Sequence, residues 1–315
     1  MKKGVLIALM AILIIGLGII SFYPVTQNST VEIDATFDNT VLQVMHVENW
    51  KNWFPEIKEA YRKNPLSYRM ETDSSKKVFT ILIPGRKFII HAISPVSYKV
   101  NEIRDDLENN FAFTLFPVST HSISLHLVEK RPLLGKLMGG DNRPVSPLAG
   151  LKSYLEDPKQ LYGYDIEVSK IRDPLIASLH FITRKKDLFE DIKNSYLSLT
   201  RYVAENHLVK MGHLSISYAP GRQDSLSVTV GIPVNLHGAP DNRIKCLTLP
   251  VGGKVLTGIY TGKFSQRDKV YDAMSRYLTD HTFAIPAESF ERYLNDSIPR
   301  SDSDVIRIEL NYPIY

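Results

Sequence analysis

Two carboxylates near the end of the chain lie among aromatic residues, in segments that alternate between polar and apolar side chains. Glu291 and Tyr293 belong to the segment 289–294, and Glu309 belongs to the segment 305–313. Side chains two residues apart on a strand point to the same side of the sheet, so Glu291 and Tyr293 are predicted to share a face. A carboxylate beside tyrosine rings attracts a cation both by its charge and through the rings. These residues predict a binding site for a cationic or aromatic small molecule.

Glu309 is the carboxylate whose direction the alternation predicts most directly. Its neighbours Ile308 and Leu310 are predicted to pack on helices, so Glu309 is predicted to project toward a groove on the opposite face. The alternative is that Arg307 or Arg292 simply pairs with these acids on the surface. The predicted ligand-binding residues are Glu309, Glu291, Tyr293, Tyr218, Tyr260 and Asn311.

The rest of the sequence narrows the possible chemistry. It has no G-x-S-x-G, H-E-x-x-H or Walker motif, and its single cysteine, Cys246, has no second thiol to pair with. The nine histidines are scattered, so we predict no metal site and no cofactor. Basic and acidic residues number 38 and 34 and are interspersed, which does not build a basic surface for phosphates. We therefore predict a small-molecule partner and no nucleic-acid partner.

The elements that must position these residues come from an internal repeat. Residues 198–203 (SLTRYV) recur as residues 273–278 (AMSRYL), and Tyr218 recurs as Tyr293, both at an offset of 75 residues. Each copy predicts a strand, a helix and two further strands, and two such units are predicted to pair about a pseudo-two-fold axis with a groove between them. The first copy is predicted as strands 176–183, 214–219 and 225–233 with a helix over 187–207, and the second as strands 255–262, 289–294 and 305–313 with a helix over 266–282.

The repeat resembles the GyrI-like domain, which is also the effector-binding domain of AraC-type and multidrug-sensing regulators. Residues 289–296 (SFERYLND) look like the family's F-E-x-Y-L-N segment, and residues 305–314 (VIRIELNYPI) look like its closing strand. The resemblance implies a groove lined by aromatic residues and an acidic residue that accepts aromatic, often cationic, molecules. Such regulators also carry a helix-turn-helix, which this sequence lacks, so direct contact with DNA is not predicted.

Two alternatives to a binding protein remain open at this stage. Some members of the GyrI-like group resemble hydrolases of strained electrophiles, which would make Glu309 or Glu291 an acid/base residue. Those hydrolases use an acid together with groove aromatics that include tryptophan, whereas this sequence has no tryptophan after Trp53. The second alternative is a structural envelope protein that binds no ligand.

An earlier part of the chain, residues 28–168, has a different pattern. A predicted strand at 31–35 and a short helix precede the segment WKNWFP at residues 50–55, an antiparallel sheet follows it, and the region ends with a predicted helix over 148–161. This order resembles the SRPBCC superfamily (START-like, polyketide-cyclase-like), which implies a curved antiparallel sheet around the last helix and often an apolar cavity. Trp50 and Trp53 would line that cavity or simply close the core. Six strands are predicted between these landmarks, at 67–72, 77–83, 87–93, 97–103, 110–118 and 122–130.

The first residues predict a membrane segment. Lys2 and Lys3 precede an uncharged apolar run over residues 4–22, and about 19 helical residues span roughly 28 Å, the thickness of a bilayer core. The positive-inside rule places the N-terminus in the cytoplasm and the domains on the other side. A cleaved signal peptide is the alternative. The predicted fold is therefore α+β: a transmembrane anchor (1–24), a START-like helix-grip domain (28–168) and a duplicated βαββ GyrI-like domain (170–315).

Overall fold

The computed structural model describes residues 24–104, 107–132, 146–171, 175–250, 252–295 and 297–315. They form a mixed α+β structure with two antiparallel sheets and several helices. The predicted membrane segment lies outside the described residues, and within the described part no helix has the length and apolar character to cross a bilayer. The chain divides into two compact units at Asp157 and Pro158, whereas the sequence placed the boundary near residue 169.

In the first unit, the described strands are β1 (Pro24–Ile33), β2 (Arg69–Asp73), β3 (Val78–Ile83), β4 (Arg86–Ser94), β5 (Ser97–Arg104), β6 (Leu107–Pro117) and β7 (Ile123–Pro132). They form one antiparallel sheet in the order β1-β7-β6-β5-β4-β3-β2. Strands β2 to β7 follow one another as a meander, and β1 closes the row against β7, with Ile33 opposite Ile123. The six strands predicted for this region are confirmed.

The described α-helices of the first unit are α1 (Phe37–Met45), α2 (Trp50–Trp53), α3 (Pro55–Lys63) and α4 (Pro147–Leu155). The tryptophans of α2 belong to the core: Trp50 is 0% exposed and Trp53 is 2% exposed. The Trp50 indole nitrogen donates to the Val44 carbonyl oxygen at 2.9 Å, and its ring stacks on Phe54 with centroids 5.6 Å apart. The two tryptophans therefore fill this part of the core.

The prediction of one helix over residues 148–161 is wrong. Helix α4 ends at Leu155, and a separate short helix, α5 (Pro158–Tyr162), follows it. Proline has no amide hydrogen to continue the helical bonding, and it disfavours a helical conformation in the residue before it. Pro158 therefore ends α4, and α5 belongs to the second unit.

The described strands of the second unit are β8 (Ile166–Lys170), β9 (Leu175–Arg184), β10 (Ser215–Pro220), β11 (Ser225–Pro233), β12 (Ile244–Thr248), β13 (Lys254–Lys263), β14 (Phe290–Tyr293) and β15 (Val305–Ile314). They form one antiparallel sheet in the order β12-β9-β11-β10-β14-β15-β13-β8. The helices α6 (Leu188–Glu205) and α7 (Asp268–Asp280) lie in the two copies of the repeat. Each element predicted for the repeat is confirmed, with small differences at the ends.

The order of these strands shows how the two copies pair. The first copy contributes β9, β11 and β10, and the second contributes β14, β15 and β13 in the mirrored order. At the centre, Ile216 of β10 is paired with Glu291 of β14. These two residues are 75 positions apart, which is the offset of the repeat. A pseudo-two-fold axis therefore passes through this pair.

One face of the second sheet is covered by helices. Alternate residues of β15, such as Ile308 and Leu310, are fully buried and belong to the same apolar core as Met274 of α7 and Leu199 of α6. On α7 the buried residues Val270, Ala273, Met274 and Leu278 recur at helical spacing. The prediction that this face of β15 packs on helices is confirmed.

Candidate ligand-binding site in the second unit

The most unusual residue of the second unit is Glu291, a carboxylate inside an apolar core. It lies on the four-residue strand β14, between β10 and β15, and it is 0% exposed. Its partner on β15 is Leu310, so Glu291 points to the face that the helices cover. A buried carboxylate is unfavourable unless hydrogen bonds or an opposite charge compensate for its lost hydration.

Three side chains donate hydrogen bonds to this carboxylate. Its Oε1 accepts from the Tyr271 hydroxyl at 2.8 Å and from Nε of Arg267 at 2.9 Å. Its Oε2 accepts from the Tyr293 hydroxyl at 2.6 Å. Both oxygens of Glu291 are therefore engaged, and one of their partners carries a full positive charge.

Arg267 comes from the turn that leads into α7, directly after the short 3-10 helix Phe264–Gln266. Its guanidinium carbon lies 3.7 Å from the centre of the Phe264 ring and 5.0 Å from that of Tyr218. Its Nη1 donates to the Phe264 carbonyl oxygen at 3.2 Å. The guanidinium thus lies against a carboxylate and two aromatic rings, and its side chain is 16% exposed.

The site lies on the axis of the repeat. The hydroxyl groups of Tyr218 and Tyr293, which occupy equivalent positions in the two copies, are 3.1 Å apart. Glu291 has no acidic counterpart, because the equivalent position of the first copy is Ile216. We call Glu291, Arg267, Tyr271, Tyr293, Tyr218 and Phe264 the Glu291 cluster. Tyr218 and Tyr293 in this cluster are related by the repeat, whereas the charge of Glu291 is present in the second copy alone.

Burial and charge set the protonation states within the cluster. Burial raises the pKa of Glu291, while the charge of Arg267 and the hydrogen bonds from Tyr293, Tyr271 and Arg267 oppose this shift. The pKa values of Tyr218, Tyr271 and Tyr293 are raised by burial and then by the negative charge of Glu291. These phenols therefore remain protonated donors at neutral pH.

Of the residues predicted from the sequence, Glu291, Tyr293 and Tyr218 come together in this cluster. Tyr260 lies on the same face, because it and Tyr293 both pair with Ile308 from opposite sides. Its hydroxyl donates to the Lys263 carbonyl oxygen at 2.7 Å at the end of its own strand.

Glu309 and Asn311 do not lie with the others. Glu309 is paired with Arg292 across the strands, at 2.8 Å between Oε1 and Nη1. Glu309 on β15 and its partner Arg292 on β14 point to the same side of the sheet, opposite the side that bears Leu310 and Glu291. The Asn311 side-chain amide donates to the Glu309 carbonyl oxygen at 2.8 Å. Glu309 therefore projects away from the helix-covered face, as predicted. The Glu291 cluster, however, lies on the helix-covered side of the sheet.

Three members of the cluster were missed by the sequence analysis: Arg267, Tyr271 and Phe264. One signal was present, because Arg267 and Tyr271 are four residues apart at the start of a predicted helix and so lie on one side of it. No local pattern connects that side of the helix to Glu291, which is 24 residues from Arg267.

The second unit also has a cavity of about 340 Å³ near the end of α7. Its lining is uncharged and consists of Ser275, Leu278, Thr279, Thr282, Phe283, Ala284 and Ile285. Among the described residues, no group of His, Cys, Asp or Glu side chains could hold a metal ion. The Glu291 cluster is therefore the stronger candidate for ligand recognition.

Comparison with known proteins found no matching family model and no matching curated protein. Among solved structures, the EcmrR C-terminal domain is 17% identical over 48% of this chain and 98% of that domain, with a TM-score of 0.39. EcmrR in its complex with DNA is 16% identical with a TM-score of 0.41, and the match spans 57% of that chain. A START superfamily protein from Mycobacterium smegmatis is 16% identical over 42% of this chain and 97% of that protein, with a TM-score of 0.29.

Proposed function

We propose that the second unit is a GyrI-like ligand-binding domain that binds an organic small molecule at the Glu291 cluster. The ligand carries a positive charge next to an aromatic or otherwise apolar group. The observation that supports this proposal is the fully buried Glu291 with an ion pair and two tyrosine hydroxyls on the axis of a duplicated domain.

Fold stability alone gives no reason for a carboxylate at this position. Replacing a buried ion pair by well-packed apolar residues is often neutral or stabilising, because the ions lose their hydration. The chain itself contains such a replacement, since the equivalent position of the first copy is Ile216, which is fully buried. The fold accepts an apolar residue there, so the acid of the second copy favours a role in recognition.

The chemistry of the cluster favours a cation with an aromatic part. A carboxylate supplies the charge, and the rings of Phe264 and Tyr218 supply faces that attract a cation. Pockets for small molecules commonly combine apolar walls with a few polar groups that fix orientation. The tyrosine hydroxyls on both oxygens of Glu291 hold the carboxylate in one orientation.

A binding experiment tests this proposal directly. Calorimetry would compare an aromatic cation, benzyltrimethylammonium, with its neutral isostere 2,2-dimethylpropylbenzene on the wild type and on Glu291→Gln. We expect Glu291→Gln to weaken binding of the cation by about 1–3 kcal/mol, the scale for losing a charged partner. The neutral compound should bind both proteins alike.

Glu309→Gln is the matched control for this experiment. It removes a carboxylate from the opposite face of the same sheet, where Arg292 is its partner. We expect it to leave the affinity for the cation unchanged. An equal loss in both variants would show that the acid of the cluster has no special part in binding.

Hydrolysis of a reactive small molecule is the second candidate function. A glutamic acid whose pKa is raised by burial is a suitable proton donor, and the Tyr293 hydroxyl lies 2.6 Å from Glu291. Turnover of a panel of epoxides by the wild type, with loss of product formation in Glu291→Gln, would support an enzyme. Ligand-induced thermal stabilisation without turnover would support a binding protein.

A further inference from the structure

We infer that Arg267 is an internal competitor for the cation site: its guanidinium occupies the place of the ligand's cation and leaves when the ligand binds. This inference rests on the proposed function of the Glu291 cluster and concerns how that site selects its ligand.

The contacts of Arg267 are those expected of a bound organic cation. Its Nε lies 2.9 Å from a carboxylate oxygen of Glu291, and its guanidinium carbon lies over Phe264 at 3.7 Å and over Tyr218 at 5.0 Å. An ion pair combined with two ring faces is how aromatic sites hold cations. With Arg267 in place, Oε1 also accepts from Tyr271 and Oε2 accepts from Tyr293. A second cation therefore reaches Glu291 only if Arg267 moves.

Arg267 is positioned so that it can move. Its side chain is 16% exposed whereas that of Glu291 is 0% exposed, so the arginine is the member of the pair that reaches solvent. Its Nη1 also donates to the carbonyl oxygen of Phe264 at 3.2 Å, only three residues away in the chain. Rotation about the side-chain bonds of Arg267 would uncover the carboxylate without a change in the sheet, because Arg267 lies in the turn before α7 and not on a strand. The rings of Phe264 and Tyr218 would remain to receive the ligand.

This arrangement makes the site selective. A tethered guanidinium competes at a high effective concentration, which an equivalent small cation in solution does not overcome. The apparent affinity of the wild type is lowered by the fraction of molecules in which Arg267 is out of the site. A ligand displaces Arg267 only if it makes additional aromatic contacts that the arginine does not make. Arg267 is thus the residue that distinguishes aromatic cations from simple ones.

The inference is tested with Arg267→Ala, by adding to this variant a small molecule that replaces the part of the side chain that was removed. The probe is ethylguanidinium, which carries the end of the arginine side chain, and ethylurea is its neutral counterpart. We expect Arg267→Ala to bind ethylguanidinium at least tenfold more tightly than the wild type, with a rise in melting temperature that ethylurea does not produce. The double variant with Glu291→Gln should lose this binding.

Arg292→Ala is the matched control, because Arg292 is also 16% exposed and is paired with Glu309 on the other face. It should gain no affinity for ethylguanidinium. Arg267→Gln provides a second variant of neutral charge in case Arg267→Ala does not fold. If the folded variants bind ethylguanidinium no better than the wild type, or if neither variant folds, Arg267 is a fixed part of the core and the inference is wrong.

The two proposals fail separately. If the wild type binds no aromatic cation but Arg267→Ala binds ethylguanidinium, the proposed function is wrong. Arg267 would still be shown to occupy a cation site. If the wild type binds aromatic cations but the Arg267 variants bind ethylguanidinium no more tightly than the wild type, the proposed function stands. The inference that Arg267 competes for the site would then be wrong.

Discussion

Two ion pairs of the second sheet differ mainly in burial, and this difference predicts different effects on stability. Glu291 is 0% exposed beside Arg267, whereas Glu309 is 22% exposed beside Arg292. Glu291→Gln replaces one carboxylate oxygen by an amide nitrogen that cannot accept a hydrogen bond, so at least one of the donors Arg267, Tyr271 and Tyr293 loses its acceptor. This loss should lower the free energy of unfolding by about 1–3 kcal/mol. Glu309→Gln should lower it by about 1 kcal/mol, because the Glu309 side chain keeps part of its contact with water. Urea denaturation measures both values, and equal losses would contradict this prediction.

The same carboxylate predicts a dependence of stability on pH. Burial raises the pKa of Glu291 above its ordinary value of 4.5, so the folded chain binds the proton more tightly than the unfolded chain does. The contribution of Glu291 to the free energy of unfolding is therefore largest below pH 4.5 and falls as pH rises through the folded pKa. We expect the free energy of unfolding of the wild type, minus that of Glu291→Gln, to fall as pH rises from 4.5 through the folded pKa of Glu291. A difference that rises with pH, measured by urea denaturation at a series of pH values, would show that Arg267 and the tyrosines lower this pKa.

At the scale of elements, the contact between α4 and α2 depends on one glycine. A Cβ at Gly150 would lie 3.0 Å from the Pro55 ring and would also collide with the Trp53 carbonyl oxygen. Alanine is the better helix former by about 1 kcal/mol, but here the backbone of α2 cannot move aside easily. We expect Gly150→Ala to destabilise the first unit by about 1–3 kcal/mol, the scale of overpacking.

Ser153→Ala is the control for this prediction, because Ser153 is an exposed position of the same helix. It should change stability by no more than about 0.5 kcal/mol, the scale of helix propensity at a surface position. A gain of stability in Gly150→Ala, measured by thermal or urea denaturation, would show that α4 can shift away from α2.

At the scale of the whole molecule, the membrane anchor over residues 4–22 stays a prediction. The uncharged run after Lys2 and Lys3 predicts that the full chain sediments with membranes and that protease added to spheroplasts removes both domains. A chain beginning at Pro24 should be recovered without membranes and serves as the control. Recovery of a soluble protein that begins near Val25 would show a cleaved signal peptide instead.

The sequence alone determined which segments are the strands and helices of the repeat in the second unit. The offset of 75 residues between Tyr218 and Tyr293 identified the repeat, and the structure places these two hydroxyls 3.1 Å apart. Local periodicity carries this information because a strand repeats every two residues and an amphipathic helix every 3.6. The broken helix after Leu155 was also encoded, in Pro158, but its apolar spacing continued past the proline and concealed the break.

Only the tertiary structure decided which carboxylate belongs to the candidate site. Alternation along β15 separates Glu309 from Leu310, but it does not show on which side of the sheet a ligand would lie. That side is defined by α6 and α7, by the pairing of Glu291 with Leu310, and by Arg267, which lies 24 residues away in sequence. A buried charge depends on partners that the fold brings from distant positions, and no local pattern contains them.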